Sequence, residues 1–133
     1  MRIVDIEGIG PVYAAKLRKT GIRTTEALLK RGASPEGRKE IAAAAGIGPA
    51  LILEWVNLAD LYRIKGVGSE YSDLLEEAGV DTVVELSKRD AEHLHGKMLE
   101  TNQAKNLVNR MAGLKQVRKW IAQAKRLPRI VKY

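Results

Sequence analysis

The chain has 133 residues, a net charge of +7, no cysteine and no phenylalanine. This length supports one compact domain or two small ones in tandem, and the missing cysteines exclude a disulfide framework, a thiol nucleophile and a thiolate zinc site. Two tryptophans and four tyrosines are too few for a single-strand binder built on stacked bases.

The opening residues, Met1-Arg2-Ile3-Val4-Asp5, lack the apolar run of a signal peptide. After Gly8-Ile9-Gly10, Pro11 suits a first helical position, where its missing N–H costs nothing. Ala14 and Leu17 follow at helical spacing, and Gly21 supplies a left-handed stop after Thr20. Thr24 or Thr25 caps a short helix through Lys30. Ser34-Pro35-Glu36 opens a helix to Ala45, whose alanine run Ala42–Ala45 permits close packing. Gly46-Ile47-Gly48-Pro49 then interrupts the chain. The next helix, Pro49 to Arg63, aligns Ile52, Trp55, Val56, Ala59 and Tyr62. The longest apolar stretch, around Pro49–Val56, is too short to span a bilayer and contains Glu54, so a soluble cytoplasmic protein is expected.

Further helices are predicted at Ser69–Ala78, Val83–Ser87 behind a Thr82/Glu85 capping box, Asp90–Glu100, Asn102–Met111 and Leu114–Leu127. Pro128 stops the last of these, and the tail to Tyr133 runs extended, docked on its own domain or on another chain. No segment alternates with the strand period of two. The expected fold is all-α, with about nine or ten short helices.

An internal repeat with a period of 58 organises the chain. Ile6, Gly8, Gly10, Tyr13, Leu17, Gly21, Thr24, Leu28 and Lys30 return as Ile64, Gly66, Gly68, Tyr71, Leu75, Gly79, Thr82, Leu86 and Lys88. These are the glycines, apolar residues and caps that a backbone fold dictates. The expected domains are residues 1–62 and 63–133, joined without a flexible linker. Trp120, Ile121 and Ala124 repeat Trp55, Val56 and Ala59 at an offset of 65. The glycine pair that should precede them is reduced to Gly113, so the second unit is degenerate, with a turn kept only for packing.

Three turns share one pattern: Gly8-Ile9-Gly10, Gly46-Ile47-Gly48 and Gly66-Val67-Gly68. Each joins two helices with its apolar residue plugged inward, and the glycines permit positive φ and close backbone approach. The first amides of the following helix have no internal partners and point outward at the positive end of the helix dipole, which makes a phosphate-sized anion site. The turn carbonyls can face a monovalent cation. This pattern is similar to the helix-hairpin-helix motif. Ile6-Glu7-Gly8-Ile9-Gly10-Pro11 with Ala14, Leu17 and Gly21, and then Ala44-Ala45-Gly46-Ile47-Gly48-Pro49, resemble the paired hairpins of DNA repair proteins and recombinase N-terminal domains. Glu54-Trp55-Val56-Asn57-Leu58-Ala59-Asp60-Leu61 and the stretch from Leu114 to Lys125 extend the likeness. They resemble a bacterial family of tandem helix-hairpin-helix proteins without assigned function.

The resemblance implies sequence-independent binding of duplex or branched DNA, but the positions that usually carry a basic residue read Pro11-Val12-Tyr13, Pro49-Ala50-Leu51 and Ser69-Glu70-Tyr71. Glu70 and Glu7 would repel phosphate, and only Lys65, Lys16 and Lys19 help. Apolar Val12 and Leu51 suggest that at least one hairpin is buried. Charge lies elsewhere: residues 1–62 hold nine Lys/Arg against seven Asp/Glu, residues 63–99 five against eight, and residues 100–133 nine against one. Arg110, Lys115, Arg118, Lys119, Lys125, Arg126, Arg129 and Lys132 make a second candidate surface around Trp120-Ile121, away from the intact turns. Either phosphate or an acidic protein partner suits it. The rival expectation is therefore a protein–protein adaptor whose hairpins are structural.

Nothing in the sequence points to catalysis or to a cofactor. His93 and His95, two apart on a helix, do not share a face and make a poor metal pair. Asp73, Glu76, Glu77 and Asp81 read as a solvated helix face. Tyr13 and Tyr71 hold equivalent repeat positions, which favours packing. A non-enzyme is expected.

Overall fold

A computed structural model describes residues 1–133 and is all-α, without a strand. A single 3-10 turn at Ile3–Asp5 precedes eight helices: α1 (Pro11–Lys19), α2 (Thr25–Arg31), α3 (Pro35–Ala45), α4 (Pro49–Leu61), α5 (Ser69–Glu77), α6 (Val83–Ser87), α7 (Ala91–Lys105) and α8 (Leu114–Arg126). Their caps follow from the sequence. Thr24, Ser34, Thr82 and Asp90 each accept the backbone N–H three residues on. These bonds satisfy amides that the helix itself leaves open.

The separate helix expected over Asn102–Met111 does not form. Instead α7 continues through Thr101 to Lys105, so two expected helices become one and the total falls to eight. Asn106 stops it in the left-handed region, at φ 50°. The Asn102 side chain then accepts from Val108 N–H at 2.9 Å and donates to Val108 C=O at 3.1 Å, which holds the following segment in an open loop.

The chain divides into two compact units, Met1–Asp60 with Ile130–Tyr133, and Leu61–Arg129. In the first, Ile3, Ile6, Ile9, Ala14, Leu17, Ile22, Leu28 and Ile41 are buried together with Ile52, Trp55 and Val56. The tail belongs to this unit. Lys132 N–H donates to Ala33 C=O at 2.8 Å, Val131 is buried, and the Tyr133 hydroxyl donates to Asn57 Oδ1 at 3.3 Å. Arg38 is buried there with carbonyls for partners: those of Gly32 (2.9 Å) and Ala33 (3.3 Å) after α2, and that of Lys132 (2.8 Å) in the tail. The expected alternative, docking on another chain, is thus answered by the chain's own backbone.

In the second unit, Ile64, Val67, Leu74, Leu75, Val83, Leu86, Leu94, Met98, Val117 and Trp120 form the core, and α8 packs on α6 and α7. Each unit stops one helix in the same way. Gly21 at φ 89° and Gly79 at φ 99° reverse α1 and α5. The next amides, of Ile22 and Val80, reach back to Leu17 and Leu75, the two-bond C-terminal motif that only a left-handed residue permits. An arginine from the following helix or its end braces each stop. Arg31 donates to the Thr20 carbonyl and Arg89 to that of Gly79. Arg31 and Arg89 are 58 residues apart, so the repeat runs one residue beyond the aligned Lys30 and Lys88.

Candidate nucleic-acid interface

In each Gly-apolar-Gly turn the first glycine has positive φ: 90° at Gly8, 67° at Gly46 and 95° at Gly66. That reversal turns Ile9, Ile47 and Val67 inward, where all three are buried. The second glycine behaves differently. Gly10 and Gly68 are extended N-caps of α1 and α5 with no side-chain cap. The first ladder bonds run from Ala14 to Gly10, Ile52 to Gly48 and Ser72 to Gly68. The amides of Val12 and Tyr13, Ala50 and Leu51, and Ser69, Glu70 and Tyr71 therefore precede their ladders. The first turn follows only the 3-10 turn, so it does not join two α-helices as the pattern suggests.

A tryptophan backs the first and third turns. Trp55 meets Tyr13 edge-on at 5.1 Å, and Trp120 meets Tyr71 edge-on at 5.2 Å. The equivalent tyrosines thus pack against core indoles. Of the two apolar residues that suggested a buried hairpin, Val12 is 69% exposed beside the first turn and Leu51 is half-buried. At the start of an exposed helix end, Val12 has no element above it to enter.

The basic set is exposed as expected: Lys65, Arg110, Lys115, Arg118, Lys119, Lys125, Arg126 and Arg129 all face solvent. Its position differs from the expectation. Helix α8 is not away from the intact turns but lies against the third. Lys65 N–H donates to Gln123 Oε1 at 2.7 Å. A β-carbon built on Gly66 would stand 3.1 Å from Trp120 Nε1 and 3.2 Å from Gln116 Nε2. Gln116, Trp120 and Gln123 are spaced to share one edge of the helix. At about 100° per residue, Lys119 falls about 70° from the middle of that edge and Arg126 and Lys115 about 90–110° from it on the same flank, while Arg118 and Lys125 fall nearly opposite it. Arg118 is also partly neutralised by Glu92 at 3.4 Å. The seven-residue slip between the repeats hid this contact, because nothing in the one-dimensional period pairs Gly66 with Gln116.

The remaining candidates have separate partners. His93 stands beside Asp90 at 3.9 Å, and His95 Nε2 lies 3.0 Å from the Ala112 carbonyl, so the two rings serve different partners. Asp73, Glu76 and Glu77 bring carboxylate oxygens within 4.8 Å of one another. Glu77 is not simply solvated, since Lys105 donates to it, and this bond and charge hold the Lys105 ammonium above its ordinary range. No single helix is long and apolar enough to cross a membrane.

Residues 7–127 match the family described as Domain of unknown function (DUF4332), and the chain belongs to that family. No curated protein and no solved structure matches it.

Proposed function

We propose that this DUF4332-family chain is a non-enzymatic, sequence-independent DNA-binding module, built as a tandem of helix-hairpin-helix units and acting in the cytoplasm. Gly8-Ile9-Gly10, Gly46-Ile47-Gly48 and Gly66-Val67-Gly68 serve as its hairpins. Each offers first-turn amides to a phosphate oxygen at the positive end of a helix. The fourth turn, before α8, is the degenerate one.

The observation that carries the reading is the seat of α8 against the third turn, through Gln123 and Lys65 and through Trp120 beside Gly66. It leaves Lys119, and beyond it Arg126 and Lys115, on the flank of α8 next to the edge that meets the turn, whose own first residues, Ser69 and Glu70, supply no positive charge. Phosphate at that turn then meets cations from a second element, which offsets Glu70. Affinity comes from backbone contacts and counterion release, with no base readout.

Electrophoretic binding to duplex, junction and single-stranded DNA over a salt series tests this. Affinity should fall steeply with salt, and Lys115/Lys119/Arg126→Ala should lower it about tenfold or more and flatten the slope by up to about 3. Arg118/Lys125→Ala should cost less. Equal losses from both variants would replace the local site with a diffuse charged surface. No binding to any form at low salt would overturn DNA binding altogether.

One observation favours a second reading, a protein–protein adaptor: exposed Val12 beside the first turn, where Glu7 disfavours phosphate. Under that reading DNA binding is absent, and Val12→Asp abolishes association with the partner while leaving the melting temperature unchanged.

A further inference from the structure

The second unit holds a pocket of about 420 Å³ beside the third turn, within the size range of small-ligand sites. Gly66, Tyr71, Arg110, Gly113, Gln116 and Trp120 line it. One of these carries an unmet demand. The indole N–H of Trp120 is buried and has no hydrogen-bond partner, although Trp120 as a whole is only 1% exposed. A buried donor without an acceptor is costly, and native structures rarely leave one.

The side-chain nitrogen that meets it at Gly66 is a donor as well. The side-chain amide of Gln116 converges with the indole nitrogen on the same face of Gly66. Arg110 is exposed at the pocket, its own carbonyl already taken by the Tyr71 hydroxyl. Helix α8 starts at this wall. Gly113 caps it with no side chain, and the ladder begins with Gln116 and Val117 N–H on the Gly113 carbonyl. The amides of Leu114 and Lys115 therefore precede the ladder, at the positive end of a 13-residue helix. No carboxylate lines the pocket.

We propose that this pocket binds a phosphate monoester. The donors outnumber the two oxygens of a carboxylate, and the charge of Arg110 together with the positive end of α8 suits a dianion. A backbone phosphodiester, with a single negative charge, matches them less well. The ester is carried either by a small molecule or by the terminal phosphate of a nucleic-acid strand, and both present the same three oxygens. The site adjoins the surface proposed for duplex binding but takes a terminal phosphate, whereas duplex binding needs only internal ones.

The test follows the two indole N–H resonances of the full chain by nitrogen-15 NMR, assigned with Trp55→Phe and Trp120→Phe. Inorganic phosphate and phenyl phosphate should shift the Trp120 resonance saturably and leave that of Trp55 in place, and chloride at equal ionic strength should shift neither. Arg110→Ala and Gln116→Leu should each weaken phenyl phosphate about fivefold. A Trp120 resonance that ignores both phosphates, or moves equally with chloride, overturns the proposal. If Gln116→Leu alone displaces it in that case, the acceptor is the oxygen of Gln116. Oligonucleotides with and without a 5′-phosphate identify the source. Tighter binding than phenyl phosphate that depends on the 5′-phosphate assigns a strand end, and parity assigns a small ester. The Lys119/Arg126→Ala variant should lose duplex affinity while keeping the phosphate-induced shift, so the two readings fail separately.

Discussion

At the scale of single residues, the turns divide their glycines by torsion angle. Gly8, Gly46 and Gly66 sit at positive φ, whereas Gly10 and Gly68 are extended with open space where a β-carbon would go. An alanine at positive φ is strained by about 1 kcal/mol or more. At Gly66 it also presses on Trp120 and Gln116, at Gly8 it stands an ordinary 3.5 Å from Trp55 Nε1, and at Gly46 it meets nothing. Urea unfolding should therefore rank Gly66→Ala as the most costly at about 2–3 kcal/mol, then Gly8→Ala, then Gly46→Ala. Gly10→Ala and Gly68→Ala should stay within about 1 kcal/mol of the parent. The last two report on ligand binding without confounding the fold. The sequence repeat marks all of these glycines alike, because identity at an offset of 58 carries no torsion angle. A Schellman stop at Gly21 was readable, since a lone glycine after a helical run has few other uses.

At the scale of elements, caps and apolar spacing located seven of the eight helices to within a residue or two of their ends. The exception was α7. Glu100-Thr101-Asn102 reads as a break, as threonine and asparagine favour caps over helix interiors. Here Thr101 instead returns its hydroxyl to the Lys97 carbonyl at 2.8 Å and stays helical. Asn102 then serves the loop from within the helix, bonding both polar groups of Val108. Asn102→Ala removes both bonds at a half-buried site and should cost about 1–3 kcal/mol, measurable by thermal unfolding, with exchange protection lost first at Val108. Asn102→Asp keeps the acceptor and should recover part of that loss. Such a role depends on a partner six residues away in a loop without periodicity, so no sequence pattern announces it.

At the scale of the whole molecule, the chain closes its first unit with its last residues. Val131 is buried, and the Lys132 carbonyl completes the shell of Arg38, a buried guanidinium whose other partners are two carbonyls after α2. Truncation after Arg129 takes away apolar burial and leaves a buried cation with an open donor. It should destabilise the first unit by about 2–4 kcal/mol. Hydrogen exchange should show this as faster opening of α2 and α3, with α7 and α8 unaffected; uniform loss in both units would contradict it. The sequence by itself determined the all-helical class, the duplicated unit and the buried plugs Ile9, Ile47 and Val67, because helical period, caps and glycine stops are local. It also located the positive charge in the last quarter of the chain. Only the tertiary structure decided where that charge sits. Packing turned α8 so that Gln116, Trp120 and Gln123 meet the third turn, and it returned the tail to Arg38. Those pairings join residues 58 and 94 apart in sequence, and no local pattern encodes the distance between them in space.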